Sequence, residues 1–143
     1  MTTVAWDGKT LATDSQMTSG NLKGKSAKII RLGNGGLFAC AGDFLKARAA
    51  AAAIDGAGSP PDSDEVVYGL YIDCKGRPWS CEGKPFGLIP LKAPCGVGSG
   101  RDFALGAMAS GKSAPEAVKI AARFDCFTSG AVQTASIKKP VRR

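Results

Sequence analysis

Short β-prone segments occur in three groups along the chain, and helix-prone segments separate them. Residues 45–54 are dominated by alanine, the best helix former, and they follow four predicted strands. A second helical region covers about residues 102–110. The next helix begins at Ser113, because Glu116 three residues later completes a capping box. The order of elements is therefore strands, one helix, strands, two helices and strands.

This order of elements restricts the fold class. Two antiparallel sheets that pack face to face need their outer faces covered, and this order supplies helices for each side. We therefore expect an α/β (α+β) protein, a four-layer αββα sandwich of two antiparallel sheets. The chain has 143 residues, of which 44% are hydrophobic, so we expect one domain over residues 1–143 with a full core.

The individual strands follow from local signals. Residues 3–6 and 10–13 predict a hairpin with Asp7-Gly8 as its two-residue turn. Residues 14–20 are polar and rich in turn formers, so we expect a loop there. Further strands are predicted at residues 28–32, 37–41, 66–73, 78–82, 86–91, 126–127 and 131–137.

The second residue of the chain carries chemistry that depends on its being N-terminal. If Met1 is removed, Thr2 presents a hydroxyl and a free α-amine on one residue. A threonine hydroxyl needs an adjacent base to act as a nucleophile, and an α-amine with a pKa of about 7.7–8.0 suits that task. Met-Thr starts are common, so this feature alone does not distinguish a catalytic threonine from an ordinary one.

The residue types that the chain lacks exclude several classes of enzyme. The sequence has no histidine, which excludes hydrolases built on a Ser-His or Cys-His pair. Its five cysteines are widely spaced without a CxxC motif, so we expect no metal site and a reducing, cytoplasmic compartment. No apolar run reaches the ~20 residues of a membrane span, and the N-terminus has no signal-peptide pattern, so we expect no membrane association.

Two features point to nucleic acid or nucleotides, and the context of each argues against it. The formal net charge is +7, but the basic residues are not interleaved with aromatic ones as in single-strand binders, so we do not expect a nucleic-acid partner. Residues 106–113 match the phosphate-binding pattern GxxxxGK[ST], which functions only between a strand and a helix. The preceding segment here is helix-prone, with Gly111 as its expected end. We therefore expect no cofactor.

Six short motifs are informative as an ordered set. They are Thr2-Thr3-Val4, Asp14-Ser15-Gln16-Met17-Thr18, Lys28-Ile29-Ile30-Arg31-Leu32, Ala39-Cys40-Ala41-Gly42-Asp43, Gly98-Ser99-Gly100 and Asp125-Cys126-Phe127-Thr128. In this order they resemble the proteasome β-subunit family of N-terminal nucleophile (Ntn) hydrolases, and most of all its HslV-type bacterial members. The resemblance covers nearly the whole chain and implies an Ntn-hydrolase type of sandwich.

The resemblance also implies roles for individual residues. Thr2 would be the nucleophile, and Lys28 would lower the pKa of its hydroxyl and amine. Asp14 would hold this lysine, and the N–H of Gly42 would face the scissile carbonyl as oxyanion donor. A second group would lie beside the terminal amine, formed by Ser99 with Asp125 and Thr128 as its supporting pair.

By the same resemblance, a substrate groove would be formed by residues at four positions, with an apolar primary pocket. These are Met17, Thr18, Ile30 and Cys40. The sequence departs from the family between Gly42 and Val66, where only one helix fits instead of the usual helical pair.

The implied function is that of a threonine-type peptidase that forms an acyl-ester on Thr2 and acts as a homo-oligomeric ring. Peptides or unfolded proteins would be its substrates. An AAA+ unfoldase is a candidate partner, but a single helix between Gly42 and Val66 would alter the way such a partner usually docks. Two alternatives remain open at this stage. One is a small-molecule amidohydrolase of the same superfamily, and the other is a non-catalytic, ring-forming or DNA-associated protein on the same fold.

Overall fold

The computed structural model of the chain describes residues 2–19, 22–41, 44–56, 68–82 and 87–138. Within these ranges the elements are, in chain order, β1 (Thr3–Trp6), β2 (Leu11–Thr13), β3 (Gln16–Ser19), β4 (Leu22–Lys25), β5 (Ile29–Arg31), β6 (Leu37–Ala41), α1 (Phe44–Ile54), β7 (Tyr68–Ile72), β8 (Pro78–Glu82), β9 (Gly87–Pro90), β10 (Cys95–Gly98), α2 (Arg101–Ala109), α3 (Ala114–Ala122) and β11 (Gln133–Ala135).

The strands form two larger sheets and one separate hairpin. The first sheet has four strands in the order β10-β1-β2-β11, and the second has five strands in the order β5-β6-β7-β8-β9. The hairpin consists of β3 and β4. Neighbouring strands in each sheet are antiparallel. The four-stranded sheet therefore combines segments from the beginning, the later part and the end of the chain.

A hydrophobic layer fills the space between the two larger sheets. Alternate residues of β1 face this layer, as the two-residue period of a strand requires. Its largest members are Val4, Trp6 and Leu11 from the four-stranded sheet and Leu37, Leu70 and Ile72 from the five-stranded sheet.

The helices cover the two outer faces. On the five-stranded sheet, Ala47, Ala50 and Ala51 of α1 pack against Phe38 and Tyr71. On the four-stranded sheet, α2 and α3 pack against two alanines of β1 and β2. That second cluster contains Ala5, Ala12, Ala104, Met108, Ala114, Ala117, Val118 and Ala121. The layers run helix, sheet, sheet, helices, so the predicted αββα sandwich of antiparallel sheets is confirmed.

The connection between α2 and α3 shows which secondary-structure elements the GxxxxGK[ST] match covers. The N–H of Gly111 donates to the carbonyl of Met108 at 3.0 Å, and that of Lys112 donates to the carbonyl of Ala107 at 3.1 Å. With Gly111 at φ +97°, this is a Schellman motif that ends α2. Ser113 then caps α3, since its Oγ accepts the N–H of Glu116 at 3.4 Å. The match spans a helix end and a helix start, as expected from the sequence.

Several local predictions were wrong. Residues 14–20 were expected to form a loop, but Gln16–Ser19 pairs with Leu22–Lys25 as a hairpin. Residues 126–127 form a turn instead of a strand. The register of β1 and β2 leaves four residues in their connection instead of two. The hairpin of β3 and β4 depends on pairing between two segments of weak β propensity, which local composition does not reveal. At residues 126–127 a local turn forms instead, with the N–H of Thr128 donating to the carbonyl of Asp125.

The part of the chain that is described contains no helix long and apolar enough to cross a membrane. Among the same residues, no group of three or more His, Cys, Asp or Glu side chains could hold a metal ion. The predicted single helix between Gly42 and Val66 corresponds to α1, while residues 57–67 lie outside the described ranges.

Candidate active site

Thr2 lies at the N-terminal end of β1, an inner strand of the four-stranded sheet, where three chain segments meet. It directly precedes β1, whose first residue, Thr3, pairs with Gly98 at the end of β10. Asp14 directly follows β2, which is the other neighbour of β1. Ser99 directly follows β10. Because β1 is antiparallel to both neighbours, Asp14 and Ser99 flank the start of the chain from opposite sides.

Glycine is required where β10 passes the N-terminal segment. Gly98 has φ +102°, and a Cβ atom there would overlap the main-chain carbonyl oxygen of Thr2. A Cβ atom on Gly100 would overlap Oγ1 of Thr3 in the same way. The Gly98-Ser99-Gly100 motif therefore lets β10 approach the start of β1 closely, which places Ser99 beside it.

Three of the predicted residues form one hydrogen-bonded group. Nζ of Lys28 lies 2.8 Å from Oδ1 of Asp14 and also donates to Oγ1 of Thr2. Oγ1 of Thr2 in turn donates to Oδ1 of Asp14. Thr2 is 3% exposed, and the side chains of Asp14 and Lys28 are 1% and 10% exposed. The hydroxyl therefore contacts a cation and an anion in a site that is largely shielded from water.

The Asp14 carboxylate is held in place by the backbone around it. Its Oδ1 accepts the N–H of Thr3 at 3.3 Å, and its Oδ2 accepts the N–H groups of Gln16 at 3.3 Å and Ser129 at 3.1 Å. These backbone donors fix the orientation of the carboxylate. A fixed anion at this point orients the ammonium of Lys28.

The ammonium of Lys28 has a pKa below that of an ordinary lysine. Burial is the larger cause and lowers the pKa, while the hydrogen bond and the charge of Asp14 oppose it. A cation next to Oγ1 of Thr2 stabilises the deprotonated hydroxyl, and little water is present to screen that interaction. The arrangement therefore suits activation of the threonine hydroxyl as a nucleophile.

Gln133 positions the segment that carries Lys28, and the sequence analysis did not identify it. Its Oε1 accepts the backbone N–H of Lys28 at 2.8 Å, and its Nε2 donates to the carbonyl of Ser26 at 2.5 Å. Gln133 belongs to β11 of the four-stranded sheet, whereas Lys28 leads into β5 of the other sheet. The only signal in the sequence is that Gln133 lies two residues before Ala135 on the same strand, so both side chains lie on the same face of the sheet. Ala135 packs against the inter-sheet core.

Ser99, Asp125 and Thr128 form the second predicted group. Oγ of Ser99 donates to Oδ2 of Asp125 at 2.6 Å, and Oγ1 of Thr128 donates to the same oxygen at 2.5 Å. Burial raises the pKa of Asp125, but the hydrogen bonds from Ser99 and Thr128 outweigh it, together with the N–H of Phe127, so its pKa lies below the ordinary value. Asp125 is therefore an acceptor for both hydroxyls.

Thr3 connects the two groups. Its N–H donates to Oδ1 of Asp14, while its Oγ1 lies 2.7 Å from Oγ1 of Thr128. Because the single hydroxyl proton of Thr128 points to Asp125, Thr3 is the donor in the second contact. The order of donation therefore runs from Thr3 through Thr128 to Asp125. Six of the seven predicted catalytic residues lie in these two linked groups.

The seventh, Gly42, lies outside the described residues. Of the four predicted groove residues, Ile30 and Cys40 are half-buried and pack against the cluster beneath α1. Because Ile29 pairs with Ala39, the residue opposite Lys28 in the same register is Cys40. Met17 is 43% exposed on β3, and the side chain of Thr18 is not among those described.

Comparisons with known proteins agree with this architecture. No family model matches the chain, and a search of curated proteins found no match. Among solved structures, BPH from Thiobacillus denitrificans aligns with a TM-score of 0.69 at 18% identity, covering 96% of this chain and 98% of that chain. The same protein in complex with epoxomicin gives a TM-score of 0.70 at 18% identity, with 96% and 99% covered. Eukaryotic HslV from Trypanosoma brucei gives 0.68 at 19% identity, with 94% and 97% covered.

The chain therefore has the fold of HslV- and proteasome-type peptidases along nearly its whole length. The likeness extends over almost all of each neighbour as well. The fold implied by the sequence resemblance is confirmed, and the Ntn-hydrolase type of sandwich is the one observed.

Proposed function

We propose that this protein is a threonine-type peptidase subunit that hydrolyses peptide bonds through Thr2 after removal of Met1. The single observation that carries this proposal is the contact of Nζ of Lys28 with both Oγ1 of Thr2 and the carboxylate of Asp14. Acyl transfer needs a nucleophile, a base and a donor for the developing oxyanion. Thr2 supplies the first two once its α-amine is free.

In the first half of the reaction, the α-amine of Thr2 takes the proton from its own Oγ1, which attacks the scissile carbonyl carbon. The ammonium of Lys28 lowers the energy of the forming alkoxide. The N–H of Gly42 is our candidate donor for the oxyanion, on the basis of its position in the motif. The tetrahedral intermediate collapses as the protonated amine gives its proton to the leaving nitrogen, which leaves an acyl-ester on Thr2.

In the second half, the amine of Thr2 accepts a proton from water, and the resulting hydroxide attacks the ester carbon. The ester bond breaks, the carboxylic product leaves, and Oγ1 recovers its proton. Ser99, Asp125 and Thr128 support this cycle by fixing the chain next to the amine. Their hydrogen bonds to each other and to Thr3 restrict the positions that the terminal residue can adopt.

We further propose peptides or unfolded proteins as substrates, with an apolar primary pocket at Ile30 and Cys40. A homo-oligomeric ring in the cytoplasm is the assembly that fits a peptidase of this fold with an N-terminal threonine, because a chamber keeps the site away from folded proteins. An AAA+ unfoldase remains the candidate partner. Multi-angle light scattering of the purified protein gives the number of subunits, and a monomer at micromolar concentration contradicts the ring.

The test of the catalytic proposal compares the parent with Thr2→Ala and Thr2→Ser. Intact mass spectrometry first establishes that Met1 is absent. Epoxomicin, present in the T. denitrificans complex, then serves as the reactive probe. We expect one inhibitor mass on the parent, none on Thr2→Ala, and cleavage of fluorogenic peptides by the parent and more slowly by Thr2→Ser. Equal hydrolysis by the parent and Thr2→Ala would refute the proposal.

The two alternatives are separated in the same experiment. Parallel assays with casein and with short amides distinguish a peptidase from a small-molecule amidohydrolase, since only a peptidase degrades casein. A non-catalytic protein of this fold shows no turnover in either assay and no adduct in any variant, although it forms the same oligomer.

A further inference from the structure

A cavity of about 660 Å³ lies at the opposite end of β1 from Thr2. Trp6, the last residue of β1, forms part of its wall, about 13 Å along the strand from Thr2 at ~3.3 Å per residue. The other walls come from the connection between β1 and β2, from the turn between β7 and β8 and from the chain after β11. The cavity therefore lies between the ends of the two sheets and is separate from the candidate active site.

The charged lining of this cavity is entirely positive. Lys9, Lys75 and Lys138 contribute to it, one from each of three chain segments, and none of the described lining residues is acidic. None of these lysines forms an ion pair with an acidic residue in the described ranges. Three ammonium groups around one concavity repel each other, and a bound anion would relieve that repulsion.

The acidic residues in the adjoining turns are already engaged. The carboxylate of Asp7 accepts the backbone N–H groups of Lys9, Thr10 and Ala114, each at 2.8 Å. Asp73 accepts the backbone N–H of Lys75 and the side chains of Arg77 and Trp79 at 2.8–3.1 Å. Both acids therefore serve to hold the turns in shape, and their oxygens are occupied by donors other than the three ammonium groups.

The remaining lining is apolar and aromatic. It includes Trp6, Ile137 and Cys74, next to Ser136, Gly8 and Gly76. Trp6 is 1% exposed, and its indole N–H has no acceptor in the described part of the chain. Small-molecule sites commonly have volumes of about 300–1,000 Å³, with apolar walls and a few polar groups. The cavity has both features.

We propose that this cavity binds a small organic phosphate monoester, with the phosphate near the three lysines and an aromatic or aliphatic body against Ile137. Lysine binds phosphate as a point charge, and a phosphate monoester brings up to two negative charges to three positive ones. A bound ligand of this kind contacts both sheets, so it also stabilises the folded protein.

Isothermal titration calorimetry and thermal unfolding test this proposal, with phenyl phosphate as the probe. We expect saturable binding with one site per chain, a rise in Tm with ligand concentration, and weaker binding at higher salt. Phenol, which lacks the charge, and inorganic phosphate, which lacks the ring, should each bind at least about tenfold more weakly. Equal affinity for phenol and phenyl phosphate, or no binding at about 10 mM probe, would overturn the proposal.

Matched lysine variants locate the site. In the triple variant Lys9→Gln, Lys75→Gln, Lys138→Gln, phenyl phosphate binding should be lost. The control triple variant Lys25→Gln, Lys112→Gln, Lys119→Gln removes the same charge from exposed positions elsewhere and should bind as the parent does. An equal loss in both variants would show non-specific charge attraction and refute the site.

Two further controls keep the result interpretable. If the first triple variant fails to fold, the single variant Lys75→Gln should still lose about tenfold in affinity, the effect of one charge-assisted hydrogen bond. Thr2→Ala should bind phenyl phosphate as the parent does, because the cavity is separate from Thr2. Loss of binding in Thr2→Ala would place the probe at the active site and overturn the proposal. A short single-stranded oligonucleotide that competes with the probe at equal phosphate concentration would also overturn it, in favour of nucleic-acid binding.

Discussion

The ammonium of Lys28 and the carboxylate of Asp14 lie 2.8 Å apart, and the two side chains are 10% and 1% exposed. They come from different layers of the sandwich, since Asp14 follows a strand of the four-stranded sheet and Lys28 precedes a strand of the five-stranded one. The pair therefore joins the two sheets at the point where Oγ1 of Thr2 touches both partners.

Replacement of Lys28 by methionine is expected to abolish peptide hydrolysis and to lower the free energy of unfolding by about 3–5 kcal/mol, because Asp14 is left buried without its counter-ion. In the double variant Asp14→Asn, Lys28→Met, only part of that stability should return, because the amide nitrogen of asparagine cannot accept the backbone N–H groups that the carboxylate accepts. Activity should not return. The measurements are urea unfolding and fluorogenic peptide hydrolysis. Lys25→Met, at an exposed position on β4, is the control and should resemble the parent. Parental kcat in Lys28→Met would contradict the assigned role.

Asp125 should make stability depend on acid pH. Its pKa is depressed in the folded protein, so its contribution is present above the unfolded-state pKa of about 3.9 and is lost as pH falls through the folded-state value. We expect Asp125→Asn to be less stable than the parent by about 1–3 kcal/mol at pH 6–7, the effect of losing charge-assisted hydrogen bonds.

Unfolding curves of the parent and Asp125→Asn, collected from pH 7 down to pH 2.5, check this prediction. The stability difference between the two proteins should shrink once the pH is below about 3.9. A difference that stays constant over this range would mean that the Asp125 carboxylate does not gain its hydrogen bonds on folding. Asp102→Asn, at an exposed position on α2, controls for the loss of one negative charge.

Gln133→Met tests the positioning of Lys28. Methionine keeps the approximate size of the side chain but removes both the acceptor for the N–H of Lys28 and the donor to the carbonyl of Ser26. At roughly 1 kcal/mol for each net hydrogen bond, we expect kcat to fall about tenfold, while KM changes little because Gln133 is not one of the proposed groove residues.

The pH profile separates positioning from general destabilisation. If Gln133 orients the ammonium of Lys28, the apparent pKa values of kcat should move in Gln133→Met, whereas a merely less stable protein keeps its profile below its Tm. Thr134→Val changes the exposed neighbour on β11 and should leave kcat, KM and the profile unaltered. An unchanged kcat and profile in Gln133→Met would show that the bridge is only structural.

Replacement by alanine should change the stability of the protein in opposite directions at two glycines. Gly98→Ala places a Cβ atom onto the carbonyl of Thr2 at a residue with φ +102°, so we expect a loss of at least about 3 kcal/mol of stability and of peptidase activity. Gly106 lies within α2 with open space around it, and Gly106→Ala should raise stability by about 0.5–1 kcal/mol. Differential scanning calorimetry measures both. A stable, active Gly98→Ala would refute the close approach of β10 to Thr2.

Local sequence patterns identified the elements whose signals are complete within a few residues. The N-cap at Ser113 and the C-terminal glycine of α2 appear in the structure as expected. The same patterns did not reveal the strand at Gln16–Ser19, because its partner Leu22–Lys25 contains two lysines and a glycine and has no strong β propensity.

In the candidate site, too, the sequence indicated which residues are involved but not how they are placed in space. The resemblance carried by the ordered motifs named Thr2, Asp14 and Lys28 as a set, because residue types and their order are properties of the sequence. Their hydrogen bonds exist only because β1, β2 and β5 come from two packed sheets, whose relative position depends on the core between them.

The chain on its own therefore carries the layer order, through the order of its strands and helices, and the chemical identity of the candidate site residues. Only the packed sandwich decides that Gln133, more than 100 residues from Lys28 along the chain, bridges to its backbone, and that three separate lysines surround one cavity. The physical reason is that these contacts join segments that are far apart in the sequence. Only the packing of the two sheets brings such segments close together.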